Sequence, residues 1–397
     1  MIPCEGKPDH NFNTRESLAC NRFPLHGTPS ASMKPSPSQS TAIDLLKALA
    51  SQAIVVHHLA GYGPTSLALK QHFPFLAWWL TEYAGMAVQI FLVIAGFLAA
   101  QAVVTRQSEF RVFPWRPILA RYRRLVIPYA VALLIALVTA MLARPWFDAE
   151  FIPDAPRPLE LLSHLTLTHV ALSHPALSAG VWYVAIDLQL FAMFAMLAWI
   201  GSGSAQGRQG IGHDTACARH TWLMVAALGA LSLLVFNRNP DLDGWAIYFF
   251  GSYAMGALVY WAQSTRATRR WLLAMALVGC LALLIDFRWR PALALLTALA
   301  LALAGSRPPG IVAATRGAPL LRSTRLMHYL AQISYALFLV HFPVMMAVST
   351  GFAALELSSP ESGLAAAALT WLLSIAAADL LHRQIELRFA APRRRAA

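Results

Sequence analysis

The stretch Thr41-Ala42-Ile43-Asp44-Leu45-Leu46-Lys47-Ala48-Leu49-Ala50-Ser51-Gln52-Ala53-Ile54-Val55-Val56-His57-His58-Leu59-Ala60 has the length of a bilayer-crossing helix but is not purely apolar. At about 1.5 Å per residue it spans about 30 Å, the thickness of the hydrocarbon core. Its polar residues are not scattered. At about 100° per residue, Lys47 and His58 differ in direction by about 20°, Ser51 lies about 20° from His58, and Asp44 about 40°. The four form one stripe, and Lys47 and His58 stand about 16 Å apart along it. His57 points about 100° away. Ionisable groups inside a span are costly and mark function by default. A basic residue near the inner surface and a histidine deeper in the membrane suit a long anionic donor with a reactive end. Histidine titrates near neutrality and suits general-base work. A plainer reading of Asp44 and Lys47 is an interfacial pair, with Lys47 snorkelling to the headgroups.

The rest of the chain has the same character. Of 397 residues, 57% are hydrophobic and only 13% are Asp, Glu, Lys or Arg, about half the share of a soluble domain. The charges fall between apolar runs, which predicts an all-α, polytopic membrane bundle of about ten transmembrane helices at 41–60, 75–103, 118–142, 181–200, 221–236, 244–262, 271–285, 290–305, 326–348 and 364–382. Three of these (221–236, 271–285 and 290–305) are short for a bilayer. The charged link Asp286-Phe287-Arg288-Trp289-Arg290 separates two of them. Residues 159–174 read as an interfacial or re-entrant piece. They carry His164, His169 and His174, whose spacing of five scatters them around a helix, so no metal site is expected there.

The net charge of +12 comes from 31 Lys+Arg against 19 Asp+Glu. The positive-inside rule accounts for it without invoking nucleic acid. With the N-terminus cytoplasmic, the inner segments hold 24 of the basic residues and the outer ones 6, which places both termini inside an inner (cytoplasmic) membrane. Residues 1–40, rich in Pro, Ser and Asn and without an apolar h-region, read as a disordered tail rather than a signal peptide. Either Met1 or Met33 can be the true start. Residues 41–385 form the membrane domain and 386–397 a basic cytoplasmic tail. Cys4, Cys20, Cys217 and Cys280 show neither CxxC nor metal spacing, and no structural disulfide is expected.

Further polar residues stand out in the spans. Arg121 and Arg124, at i and i+3 in the third span, share a face suited to clamping phosphates, or to ordinary positive-inside anchoring. Asp187, about one turn into the fourth span, can orient a histidine of another helix or belong to a buried structural pair. Glu82 and Gln89 are polar members of the second span, where Gly96 permits close helix packing. His341, beside Pro343, is either a second catalytic residue or a satisfied packing histidine. P-loop, GxSxG and HExxH motifs are absent.

These residues together resemble the acyltransferase family 3 membrane proteins, over about residues 43 to 383. Lys47 and His58 are similar to that family's basic residue, ten residues, then histidine. Val88 to Leu98 resembles its second-helix segment, although Gln89 and Ala95 stand where Asp and Ser are more usual. Arg121 to Arg124, followed by Ile127-Pro128-Tyr129, resembles its arginine motif. Trp182 to Gln189, with Asp187 where Glu is common, resembles its tryptophan–acidic–glutamine segment, and Ile333 to Pro343 its late-helix motif. The resemblance implies transfer of an acyl group, with acetyl the expected one, from a cytoplasmic acyl-CoA-type donor to a hydroxyl of a glycan or lipid. Acyl-CoA would be a co-substrate, with no permanently bound cofactor and no metal. His58 and Asp187 would be catalytic, with His58 acting as base or through a transient acyl-histidine. Lys47, Arg121 and Arg124 would bind the donor, supported by Asp44, Ser51 and His341. The rival reading is a secondary transporter of a small anionic or polar solute, which would be expected to show inverted repeats; none is found.

Overall fold

The computed structural model describes residues 35–147, 151–203, 211–263, 268–306, 318–357 and 359–389. The tail of residues 1–34, and with it the choice between Met1 and Met33, lies outside them, as do residues 390–397. All regular elements among the described residues are helical, and the described residues form one compact unit.

The first helix, α1 (Pro37–Gly61), starts four residues earlier than the polar composition predicts. Ser36 caps it, its hydroxyl accepting from the Gln39 N–H, and Pro37 occupies the first turn, where no backbone donor is needed. Two short helices follow, α2 (Gly63–His72) and α3 (Pro74–Tyr83), then α4 (Val88–Thr105), α5 (Gln107–Val112) and α6 (Trp115–Ala143). The short α7 (Pro158–Leu165) precedes α8 (Val181–Gly203), α9 (Ile211–Leu234), α10 (Ala246–Gln263), α11 (Thr268–Ile285) and α12 (Trp289–Gly305). Last come α13 (Ala318–Gln332), α14 (Ser334–Ala354) and α15 (Pro360–Leu381), which runs through a π-turn at His382–Glu386 to Phe389.

Each expected span is helical. Among the described residues seven stretches are long and apolar enough to cross a membrane, while α10, α11 and α12, at 18, 18 and 17 residues, are not among them. Two expected spans are broken. The second is interrupted by a 3₁₀ turn at Ala84–Ala87, and the ninth at Ile333, where the backbone leaves the helix between α13 and α14. The last helix continues past residue 385, through Glu386 to Phe389. Burial separates a centre from a rim. In α14 67% of the apolar window is buried and in α3–α4 61%, against 33% in α6, α9 and α15. The outer faces of the rim helices carry exposed Leu134, Met141, Leu231 and Leu380, as expected for contact with lipid.

Candidate functional site

α1 and α14 bring two histidines together. His58 sits on the last turn of α1, 11 residues beyond Lys47, and His341 lies within α14; both histidines are buried. Their rings are 4.9 Å apart between centroids, with His341 Nε2 3.0 Å from His58 Nδ1. The neighbouring carbonyls, which can only accept, fix the protons. His341 Nδ1 lies 3.1 Å from Leu337 O, so this nitrogen carries hydrogen and His341 Nε2 carries the lone pair. His58 Nδ1 lies 3.0 Å from both Ile54 O and that lone pair, so it too is protonated and donates to both. The lone pair of neutral His58 is therefore at Nε2, which makes no hydrogen bond among the described residues. Tyr62 stacks on His58 at 5.6 Å, and Phe342 stands edge-on to both rings, backed by Phe151. His57 stands edge-on to His58, 5.0 Å between ring centroids, while its Nδ1 donates to Leu80 O over 3.0 Å.

The other end of the α1 stripe is charged. The charged neighbours of Lys47 are Asp44, Arg124 and Glu386. Arg124 is exposed, whereas Glu386 Oε1 is buried without a hydrogen-bond partner among the described residues. Ser51 is buried between the two ends and bonds back to Ala48 O. Deeper in the bundle, Arg121 makes a two-pronged ion pair with Asp187, its Nε and one terminal nitrogen donating over 3.1 and 2.7 Å, and its guanidinium lies 4.9 Å from the Phe191 ring centre. Tyr183 and Tyr253 adjoin this pair. The Tyr253 hydroxyl is buried and has no partner among the described residues. Tyr335, whose hydroxyl donates to Leu125 O, lies on α14 between this charged region and His341.

The two carboxylates expected to orient His58 are thus elsewhere. Asp187 is held by Arg121 in a two-pronged pair, and the polar partners of His58 are Ile54 O and His341 instead. Asp44 accepts from His328 Nδ1 over 2.7 Å, and it lies 14 residues, about 21 Å, along α1 from His58. The imidazole of His58 is met instead by His341. Gln89, at the position where an acid is more usual, accepts from Ser252 and ties α4 to α10.

The connection after α6 also departs from expectation. α7 ends at Leu165, so its histidines do not share a helix. Instead His164 and His169 stack at 4.0 Å. Tyr129 Oη lies 2.8 Å from His164 Nδ1, His164 Nε2 lies 3.0 Å from Pro175 O, and His174 Nδ1 lies 2.7 Å from Ser163 Oγ. Both ring nitrogens of His169 are buried without a hydrogen-bond partner among the described residues. Burial pushes its pKa down to about 3, and that of His164 down as well. A histidine held neutral in the fold but free to protonate when unfolded favours the folded state at high pH. Its contribution is complete above about pH 6.5 and is lost at up to about 1.4 kcal/mol per unit as pH falls towards 3. We expect the melting temperature of the detergent-solubilised protein to drop more steeply from pH 7.5 to 5.5 in the wild type than in His169→Phe. Parallel slopes would show that His169 is not held neutral. Among the described residues no group of three His, Cys, Asp or Glu side chains has metal-holding geometry. Cys280, on α11, is a free exposed thiol; the side chains of the other three cysteines lie outside the described residues.

A family model described as an acyltransferase domain matches residues 40–382. No curated protein and no solved structure matches the chain.

Proposed function

The chain belongs to this acyltransferase family, and from that premise we propose that it moves an acyl group, acetyl in the simplest case, from an acyl-CoA-type donor to a hydroxyl of a glycan or lipid. The protein is a membrane acyltransferase. The observation that carries the finer reading is the histidine pair at one end of the α1 stripe, with Lys47 at the other, where Arg124 is the second cation and Asp44 and Glu386 are the acids beside it.

The chemistry proceeds as follows in this reading. The acceptor hydroxyl gives its proton to His58 Nε2 while its oxygen attacks the thioester carbonyl. The tetrahedral intermediate collapses, the C–S bond breaks, and the departing thiolate takes the proton back from His58. The positive charge that develops on His58 is met by the His341 Nε2 lone pair through the Nδ1–H. Lys47 and Arg124 serve the phosphates of the donor, whose thioester reaches along the stripe. Arg121, neutralised by Asp187, shapes the wall rather than supplying free charge. With one orientation the donor enters from the cytoplasm and the acceptor meets His58 near the opposite face.

The test is release of free thiol from acetyl-CoA by purified protein in detergent, with and without a glycan or lipid extract, and mass analysis of the extract for ester-linked acyl groups. A gain of one acyl mass per thiol released supports the reading. Absence of thioester turnover with every donor chain length, together with solute uptake in vesicles, would replace it with transport. His341 has a separable role. His341→Phe should lower kcat by about 10- to 100-fold with little change in KM, because a hydrogen bond to a charged group contributes about 1.5–3 kcal/mol. His341→Gln, whose amide oxygen can accept from His58 Nδ1–H, should recover part of the loss and shift the pH profile. Equal activity in all three proteins would remove His341 from the mechanism.

A further inference from the structure

α9, α10 and α11 enclose an open groove that shares no residue with the histidine pair. Its walls are almost wholly apolar. At one end Trp222 stacks on Trp261 at 5.6 Å and meets Trp271 edge-on at 6.0 Å. At the other end lie Leu233, Gly251 and Val278, and a Cβ placed at Gly251 would come 2.5 Å from the Leu233 side chain. From Trp222 to Leu233 the groove follows α9 for about 16 Å, which matches one leaflet's half of a 30 Å hydrocarbon core. With the groove set within one leaflet, its tryptophan end falls at the depth where indoles favour the membrane interface. Just beyond them, at headgroup level, are Arg219, one turn before Trp222, and Arg269 and Arg270, in the first turn of α11. All three are exposed, and none has an ion-pair partner among the described residues.

We propose that this groove holds one acyl chain of an anionic phospholipid, with its phosphate resting on Arg219, Arg269 and Arg270. Lipid tails are as apolar as the groove, so chain burial alone selects no particular lipid. Selection comes from the arginines. Each basic residue at an anionic surface favours the charged headgroup by about fivefold. Groove length sets the leaflet and charge sets the headgroup, and the two properties are separable by mutation.

The test is native mass spectrometry of the purified full chain, incubated with an equimolar mixture of phosphatidylglycerol and phosphatidylcholine of equal chain length. The wild type should retain one phosphatidylglycerol in clear preference, by tenfold or more. The exposed triple substitution Arg219→Gln/Arg269→Gln/Arg270→Gln should retain lipid without preference. Ala274→Phe, which directs a ring into the groove from an exposed position of α11, should retain at least tenfold less of either lipid while remaining monodisperse. The proposal is overturned if the wild type retains neither lipid, if the arginine variant keeps its preference, or if Ala274→Phe retains as much as the wild type.

Discussion

Membranes carrying His58→Ala are expected to lose acyl transfer by roughly 10²- to 10⁴-fold, the usual contribution of a positioned general base. The size of the effect follows from the isolation of His58. Among the described residues its Nε2 is engaged by no other group, and no carboxylate stands within the ring cluster to take over the proton. Alanine leaves His341 Nε2 at the place of the lost Nδ1–H, on the far side of the vacated ring from where His58 Nε2 stood, so His341 is not expected to substitute. On the proposed reading the loss should appear in kcat, because Lys47 and Arg124, proposed to serve the donor, are unchanged. Inserted protein must be quantified in both membranes, since His58 is packed against Tyr62 and Phe342. His58→Gln, which fills the same space, serves as the control for packing; it should be as inactive as alanine. Full activity in either variant at matched protein levels would remove His58 from the chemistry.

How far the sequence reveals this site depends on the range of each interaction. The α1 stripe is readable because helical periodicity acts within a single segment: Lys47, Ser51 and His58 share a face by rotation alone. The partner of His58 is 283 residues away, and no local rule connects them. By analogy with carboxylate-oriented histidines, Asp187 and Asp44 look like the natural partners, but each meets a cationic or donor group first. Asp187 lies where Arg121 can reach it, and in a membrane interior a paired charge costs far less than a lone one. Glu386 is hidden by its neighbours in sequence, since an acid beside Arg383 and Arg388 reads as part of a solvated basic end. The break at Ile333 is invisible because neither glycine nor proline marks it. The stack of His164 and His169 is missed because the spacing rule assumes one helix, and α7 stops at Leu165.

The close approach of α4 and α10 carries the largest stability prediction. A Cβ built on Gly256 would stand 1.8 Å from Val93 O and 2.8 Å from Phe97 N, and one on Gly96 would stand 1.9 Å from Tyr253 O. These obstacles are backbone atoms of a facing helix, so no rotamer change relieves them. Small residues at such crossings let membrane helices pack by van der Waals contact where no hydrophobic force drives association. Alanine at position 256 must push the helices apart by more than an ångström. That movement stretches the buried 2.7 Å hydrogen bond from Ser252 to Gln89 and opens voids along Val93 and Phe97, both fully buried. Overpacking of this kind costs about 1–3 kcal/mol for a modest insertion and more when backbone must move. Gly256→Ala is therefore expected to lower the melting temperature sharply, and Gly256→Val to yield no monodisperse protein. Gly351→Ala is the matched control. Nothing lies within 4 Å of a Cβ there, and alanine in a helix interior is favoured over glycine by about 1 kcal/mol. That variant should melt at or above the wild-type temperature. If Gly256→Val melts with the wild type while Gly351→Ala behaves as stated, the α4–α10 crossing is looser than its geometry implies. The Arg121–Asp187 wall beside Tyr253 would then not depend on it.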